Sequence, residues 1–140
     1  FGAINPSTGE LLYVNAGHQP LMVMNKEGIK ACLDGTGPVI GVIEDAEYET
    51  GRIRLDKDDL IFGYTDGITE ARSDTNDFYT QTRLENILEK GFSGTSDAFL
   101  KMIKADLFDF IGNAPVKDDI TMLAIRWSEN EQGCFKDTAL

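Results

Sequence analysis

Asp66 directly follows the apolar run Leu60 to Thr65, and Asp118 directly precedes the run Ile120 to Trp127. If those runs are neighbouring antiparallel strands, the end of one lies beside the start of the other, and the two carboxylates share one rim. Oxygen ligands grouped on a rim suit Mg²⁺ or Mn²⁺, which keep several waters when only a few carboxylates bind them. Gly67, with no side chain, lets the backbone turn sharply beside a ligand or metal, and is the candidate cofactor-contact position. Taken singly, Asp66-Gly67 is an ordinary turn and Lys117-Asp118-Asp119 a solvated strand entry. Their joint placement is what points to a metal.

Other chemistries thin out quickly. His18 is the only histidine, which excludes a His-rich zinc site, and within Asn15-Ala16-Gly17-His18-Gln19-Pro20 it reads as fixing a turn between strands. No glycine-rich loop ends in Gly-Lys-Ser or Gly-Lys-Thr, so that type of nucleotide site is absent. Cys32 and Cys134 are the only cysteines and form no Cys-x-x-Cys pair, which fits a reducing, cytoplasmic setting. With 13 basic and 24 acidic residues the net charge is -11, which repels nucleic acid and anionic lipid. No apolar run approaches the ~20 residues of a membrane span. The 140 residues amount to one ordinary soluble, globular domain.

The elements that must position these residues follow from periodicity. Phe1 to Ile4, Leu11 to Asn15 and Leu21 to Met24 read as a β-meander separated by Asn5 to Gly9 and later turns. Glycines 35, 37 and 41 with Pro38 imply a loop around Val39-Ile40, after which Tyr48 to Leu55 alternates with Ile53 and Leu55 on one face. Beyond Gly67 the period changes. A helix is expected over Thr82 to Lys90, with Thr82 and Glu85 spaced as a capping box and Gly91 as a stop. A second is expected over Ser96 to Ile111, where Phe99, Met102, Ile103, Leu107, Phe110 and Ile111 form one stripe. Ile120 to Trp127 is apolar on both faces, so it is expected to lie centrally in a doubly covered sheet. The layout is α+β, with helices packed on sheet. The polar tail from residue 128 to 140 is expected to fray.

Four blocks then resemble a known family in order and spacing: Asn15 to Pro20, Gly37-Pro38-Val39-Ile40-Gly41, Tyr64-Thr65-Asp66-Gly67-Ile68-Thr69-Glu70-Ala71, and Asp118-Asp119-Ile120-Thr121. They resemble the bacterial SpoIIE-type branch of the metal-dependent protein serine/threonine phosphatases, the protein phosphatase type 2C superfamily. The resemblance implies a β-sandwich flanked by helices, with a two-metal centre of Mn²⁺ or Mg²⁺ at one end. It makes Asp66 and Asp118 metal ligands and Asp119 a neighbour outside the usual ligand set. The ions of that family activate a bridging water for attack on phosphorus.

The chain also departs from the family. It opens at Phe1 already in a strand pattern, and the family's earlier Gly-Asp and Asp-x-x-Gly-His-Gly blocks belong upstream. Residues 1–127 therefore resemble the C-terminal majority of a phosphatase domain, incomplete at its N-terminus. Two carboxylates are too few to hold two ions about 3.5–4 Å apart, so this chain alone is expected to show little turnover and to self-associate, most simply as a homodimer. Where the family has Phe-Gly-x-x-Arg-Leu, this chain has Tyr79-Thr80-Gln81-Thr82-Arg83-Leu84, with Thr80 in place of glycine. The implied partners are a phosphorylated protein, such as an anti-anti-sigma factor, and an upstream regulatory or sensor domain. A non-catalytic, phosphatase-like binding module is the alternative. Without the resemblance the chain reads as an acidic α+β sensor domain with incidental aspartates.

Overall fold

The computed structural model describes residues 1–128. Their strands are β1 (Gly2–Ile4), β2 (Glu10–Tyr13), β3 (Leu21–Asn25), β4 (Gly28–Leu33), β5 (Gly51–Arg54), β6 (Leu60–Tyr64) and β7 (Met122–Arg126). Helices α1 (Gln81–Leu88) and α2 (Ser96–Ile111) lie between β6 and β7. The strands form two antiparallel sheets, one ordered β1-β2-β5 and the other β4-β3-β6-β7.

Period-two alternation sorts the side chains of the four-stranded sheet. Met22, Met24, Phe62 and Tyr64 face the helices and pack with Leu84, Leu88, Phe99, Ile103 and Leu107. Phe99 stands edge-on to Phe62 at 5.1 Å between ring centroids, and Phe62 stacks on Tyr64 at 5.5 Å. Val23, Leu33 and Ile61 face the other way, where they meet Leu11, Ile53 and Leu55 of the three-stranded sheet and the segment after it. A sandwich with helices on one face is the α+β arrangement expected.

Three expectations about the strands need correction. The first strands do not form a meander: β1 and β2 pair, but the Asn15 to Pro20 turn carries the chain across to the other sheet, where β3 pairs β4 and β6. Strand β4 has no counterpart in the sequence reading. A bulge hides it: Val23 pairs Ala31 and Met24 pairs Ile29, leaving Lys30 as the extra residue, and the alternation of β4 is broken there. The ammonium of Lys30 turns out to the carboxylates of Asp56 and buried Asp59, tying β4 to the turn before β6.

Thirdly, β7 is not central. It is the edge of its sheet among the described residues, covered by α2 on one face, while Leu123 and Ile125 on the other are 56% and 50% exposed. Its two apolar faces are real, but β1, β2 and β5 leave one of them open. Of the tail, only Ser128 falls within the described residues.

Helix α2 has the expected bounds, with Thr95 as N-cap and Gly112 closing it at φ 60°. Helix α1 begins one residue early, and its N-cap is Thr80 rather than Thr82. It ends at Leu88, two residues short of Lys90, with Glu89 as C-cap. Gly91 lies in the following turn at φ 71°, where a Cβ would overlap the Lys26 carbonyl oxygen.

Candidate metal site

Strands β6 and β7 are antiparallel neighbours, with Tyr64 opposite Met122. The residues following one and preceding the other are therefore side by side, and Thr65 locks them. Its N–H donates to the Thr121 carbonyl at 3.1 Å, its hydroxyl donates to the Asp119 carbonyl at 2.8 Å, and the same hydroxyl accepts from the Thr121 N–H at 3.0 Å. A threonine that serves three bonds at a strand end leaves the two flanking loops little freedom.

Asp66 is exposed at the start of a tight turn. Its carbonyl accepts from the Glu70 N–H at 2.9 Å and the Thr69 hydroxyl at 3.1 Å, while Ile68 plugs fully into the core below. Among the described residues its carboxylate has no hydrogen-bond or ion-pair partner, above a backbone that is anchored. Asp118 is exposed too, and one of its oxygens accepts from the Asp119 N–H at 2.8 Å. Gly67 is buried against the same strand entry: a Cβ would lie 2.5 Å from the Asp119 carbonyl oxygen. Its lack of a side chain is what lets the Asp66 turn close on the Asp118-Asp119 loop.

A cleft of about 320 Å³ opens beside this rim, lined by Gly67, Glu70, Arg72, Phe78, Lys117 and Asp118 among others. Its far wall is the excursion from Arg72 to Phe78, which a backbone bridge between those two residues closes. The excursion is tied down at its tip, because both Asp74 carboxylate oxygens accept from the Asn113 N–H at the end of α2.

The chemistry of these two exposed carboxylates, Asp66 and Asp118, carried on adjacent chain segments, fits a single oxygen-seeking divalent ion that keeps several waters. Among the described residues no group of three or more His, Cys, Asp or Glu side chains is placed to hold a metal ion. His18 does not join the rim. It is exposed, with its Nδ1 2.8 Å from the Gln19 carbonyl.

In its turn the organising residue is Asn15, which sequence reading passes over. Nearly buried at 6% exposure, it accepts from the His18 N–H through its side-chain oxygen and donates through its amide nitrogen to the Leu33 carbonyl. An asparagine two residues ahead of a glycine is the signal that could have found it.

A second network missed in the sequence joins the helices below the cleft. Asp106 on α2 accepts from Arg83 on α1 at 3.1 and 3.2 Å and from the Tyr79 hydroxyl at 2.7 Å. Burial pushes the Asp106 carboxyl up, but the bonds from Arg83 and Tyr79 outweigh it and hold it below the usual carboxylate range. Burial, and then the bond to Asp106, push the Tyr79 phenol well above its ordinary value.

Comparison with known proteins now bears on this arrangement. The family model described as stage II sporulation protein E (SpoIIE) matches residues 1–128. The chain belongs to the SpoIIE family. It is 40% identical over 125 residues to Protein IcfG of Synechocystis sp., an alignment covering 89% of this chain and 20% of that protein. It is 27% identical over 123 residues to the phosphoserine phosphatase RsbU of Bacillus subtilis, covering 87% of this chain and 36% of that one. Against solved structures, the fold matches the SiaA-PP2C domain of Pseudomonas aeruginosa at a TM-score of 0.72 and 20% identity, over 86% of this chain and 48% of that one. It also matches the phosphatase domain of SpoIIE from Bacillus subtilis at a TM-score of 0.69 and 13% identity, over 95% of this chain and 59% of that domain. This SpoIIE-family chain thus spans about half of the phosphatase domains it resembles and a smaller share of its full-length relatives.

Proposed function

We propose that the protein containing this chain is a metal-dependent protein serine/threonine phosphatase acting in bacterial signalling. The observation that carries this reading is the pairing of β6 with β7, which brings Asp66 and Asp118 to one rim under the Thr65 lock. Asp66 and Asp118 would hold Mn²⁺ or Mg²⁺, and the bound metal supplies an activated water and offsets charge developing on phosphorus. Thr65 and Gly67 position the two carboxylates. The phosphoserine activity in the name of RsbU and the phosphatase domains among the structural relatives support the same class.

Its substrate would be a phosphorylated protein, such as an anti-anti-sigma factor. An upstream regulatory or sensor domain and a cytoplasmic location complete the proposal. No helix among the described residues is long and apolar enough to cross a membrane.

Calorimetry with Mn²⁺ on the complete phosphatase domain tests the site. Asp66→Asn and Asp118→Asn should each weaken binding by about tenfold or more, as loss of one charged ligand does. Unchanged affinity in both variants would remove the assignment. A second reading, a phosphatase-like module that binds a partner without turnover, draws on the absence of a third nearby ligand among the described residues. Substrate binding without Mn²⁺-dependent phosphate release by the full-length protein would select it.

A further inference from the structure

The cleft beside the rim has a composition at odds with the rest of the molecule. In a chain of net charge -11, Arg72 and Lys117 both line it, and neither forms an ion pair among the described residues. Arg52, Arg83 and Arg126 each hold a carboxylate, while Arg54, outside the cleft, is unpaired among the described residues as well.

Arg72 is also prearranged. Its guanidinium lies 3.9 Å over the Phe78 ring and one nitrogen donates to the Asn76 carbonyl at 3.1 Å. A guanidinium has five N–H donors, so others remain for a ligand. The anchoring of Asp74 to Asn113 holds the loop that carries it. Phe78, at 47% exposure, and Val116, at 51%, give the cleft apolar walls.

We propose that this cleft receives the substrate segment next to the phosphoresidue, with Arg72 and Lys117 pairing an acidic side chain of that segment. The inference rests on the phosphatase reading, since Gly67 and Asp118 belong both to the rim and to the cleft, which makes the two continuous. With Asp118 engaged at the rim, Glu70 is the remaining anion in the lining. Two cations against one anion favour a single further carboxylate over a basic side chain. The half-exposed Phe78 and Val116 beside these cations offer apolar contact to the stem of the acidic side chain.

The test uses the full-length protein and fluorescent peptides carrying a non-hydrolysable phosphonate in place of phosphoserine, flanked by glutamates, glutamines or lysines. By fluorescence anisotropy the wild type should prefer the glutamate peptide over the glutamine one by about fivefold or more, the size of one charge-assisted contact. Arg72→Gln and Lys117→Gln should each shrink that ratio. The double variant Arg72→Glu/Lys117→Glu should turn the preference toward the lysine peptide, a gain that misfolding cannot produce. Equal wild-type affinity for the glutamate and glutamine peptides, or a preference unmoved by all three variants, overturns the proposal. Charge preference without Mn²⁺-dependent turnover of the matching phosphopeptides would overturn the phosphatase reading and leave the docking cleft standing.

Discussion

The two faces of the four-stranded sheet are built from the same strands and end in different states. On the helix side, alternate residues of β3 and β6 meet stripes from α1 and α2, and Phe62, Phe99, Leu84, Ile103 and Leu107 lose all contact with water. On the sandwich side, Val23 and Leu33 are buried, yet Leu123 and Ile125, in register with Gly63 and Ile61, stay half exposed. Burial follows from what lies opposite and not from the residue type, because Ile103 and Ile125 are equally apolar. The chain spans about half of the phosphatase domains it resembles, and the sandwich side is where its sheets differ in width.

The sharpest way to break this contrast is to empty both faces. Phe99→Ala should destabilise the chain by about 3–5 kcal/mol, the range for a fully buried ring. Chemical denaturation reads it, and a loss under about 1 kcal/mol would place that face at a surface.

The next effect concerns the entry to the helix face. Thr80 sits at φ 68° and ψ 152°, a region that residues with a Cβ rarely occupy, and its capping bond to the Arg83 N–H is long at 3.4 Å. Since glycine caps almost as well and has no strain there, Thr80→Gly should stabilise the chain by about 1 kcal/mol. A fall in the thermal midpoint would show that the hydroxyl matters more than the backbone.

A smaller effect comes from the pair that binds α1 to α2. The Asp106 carboxyl is held below its unfolded value, so its contribution is full above about pH 4 and fades as the pH falls through the folded pKa. The pair is part-exposed, which limits that contribution to under about 1 kcal/mol. Asp106→Asn should accordingly flatten the acid side of a stability profile, and an unchanged slope would assign acid sensitivity elsewhere. Smallest of all, Ile125→Ala on the open face should shift stability by no more than about 0.5 kcal/mol. A cost near that of Phe99→Ala would mean that the face is covered in solution.

Much of this organisation is legible in the sequence, and the failures have physical causes. Helix α2 is readable from Ser96 to Ile111 because its apolar stripe is continuous, and the structure closes it at Thr95 and Gly112 where that stripe ends. The antiparallel pairing of β6 with β7 was legible because both runs are apolar and each is bounded by an aspartate turn. Strand β4 escaped because the bulge at Lys30 interrupts its alternation. The edge position of β7 escaped because apolar residues on both faces record what a strand can bury and not what covers it. Arg72 and Lys117 are far apart in sequence, and only the folding of the Arg72 to Phe78 excursion beside the end of α2 puts them in one cleft.

Strand β7 is fastened at both ends. At the rim it is held through Thr65, and at the other end the Trp127 N–H donates to the Asp59 carbonyl at 2.7 Å while Arg126 pairs with Asp58 at 2.9 Å. An edge strand ordinarily frays from a loose tip, so its amides exchange with solvent long before the core opens. This one has no loose tip. Its amides bonded to β6 should exchange as slowly as those at the centre of the sheet, and the strand should leave as a unit. The rim would then be lost in one step, with no lingering state in which one aspartate has moved and the other has stayed.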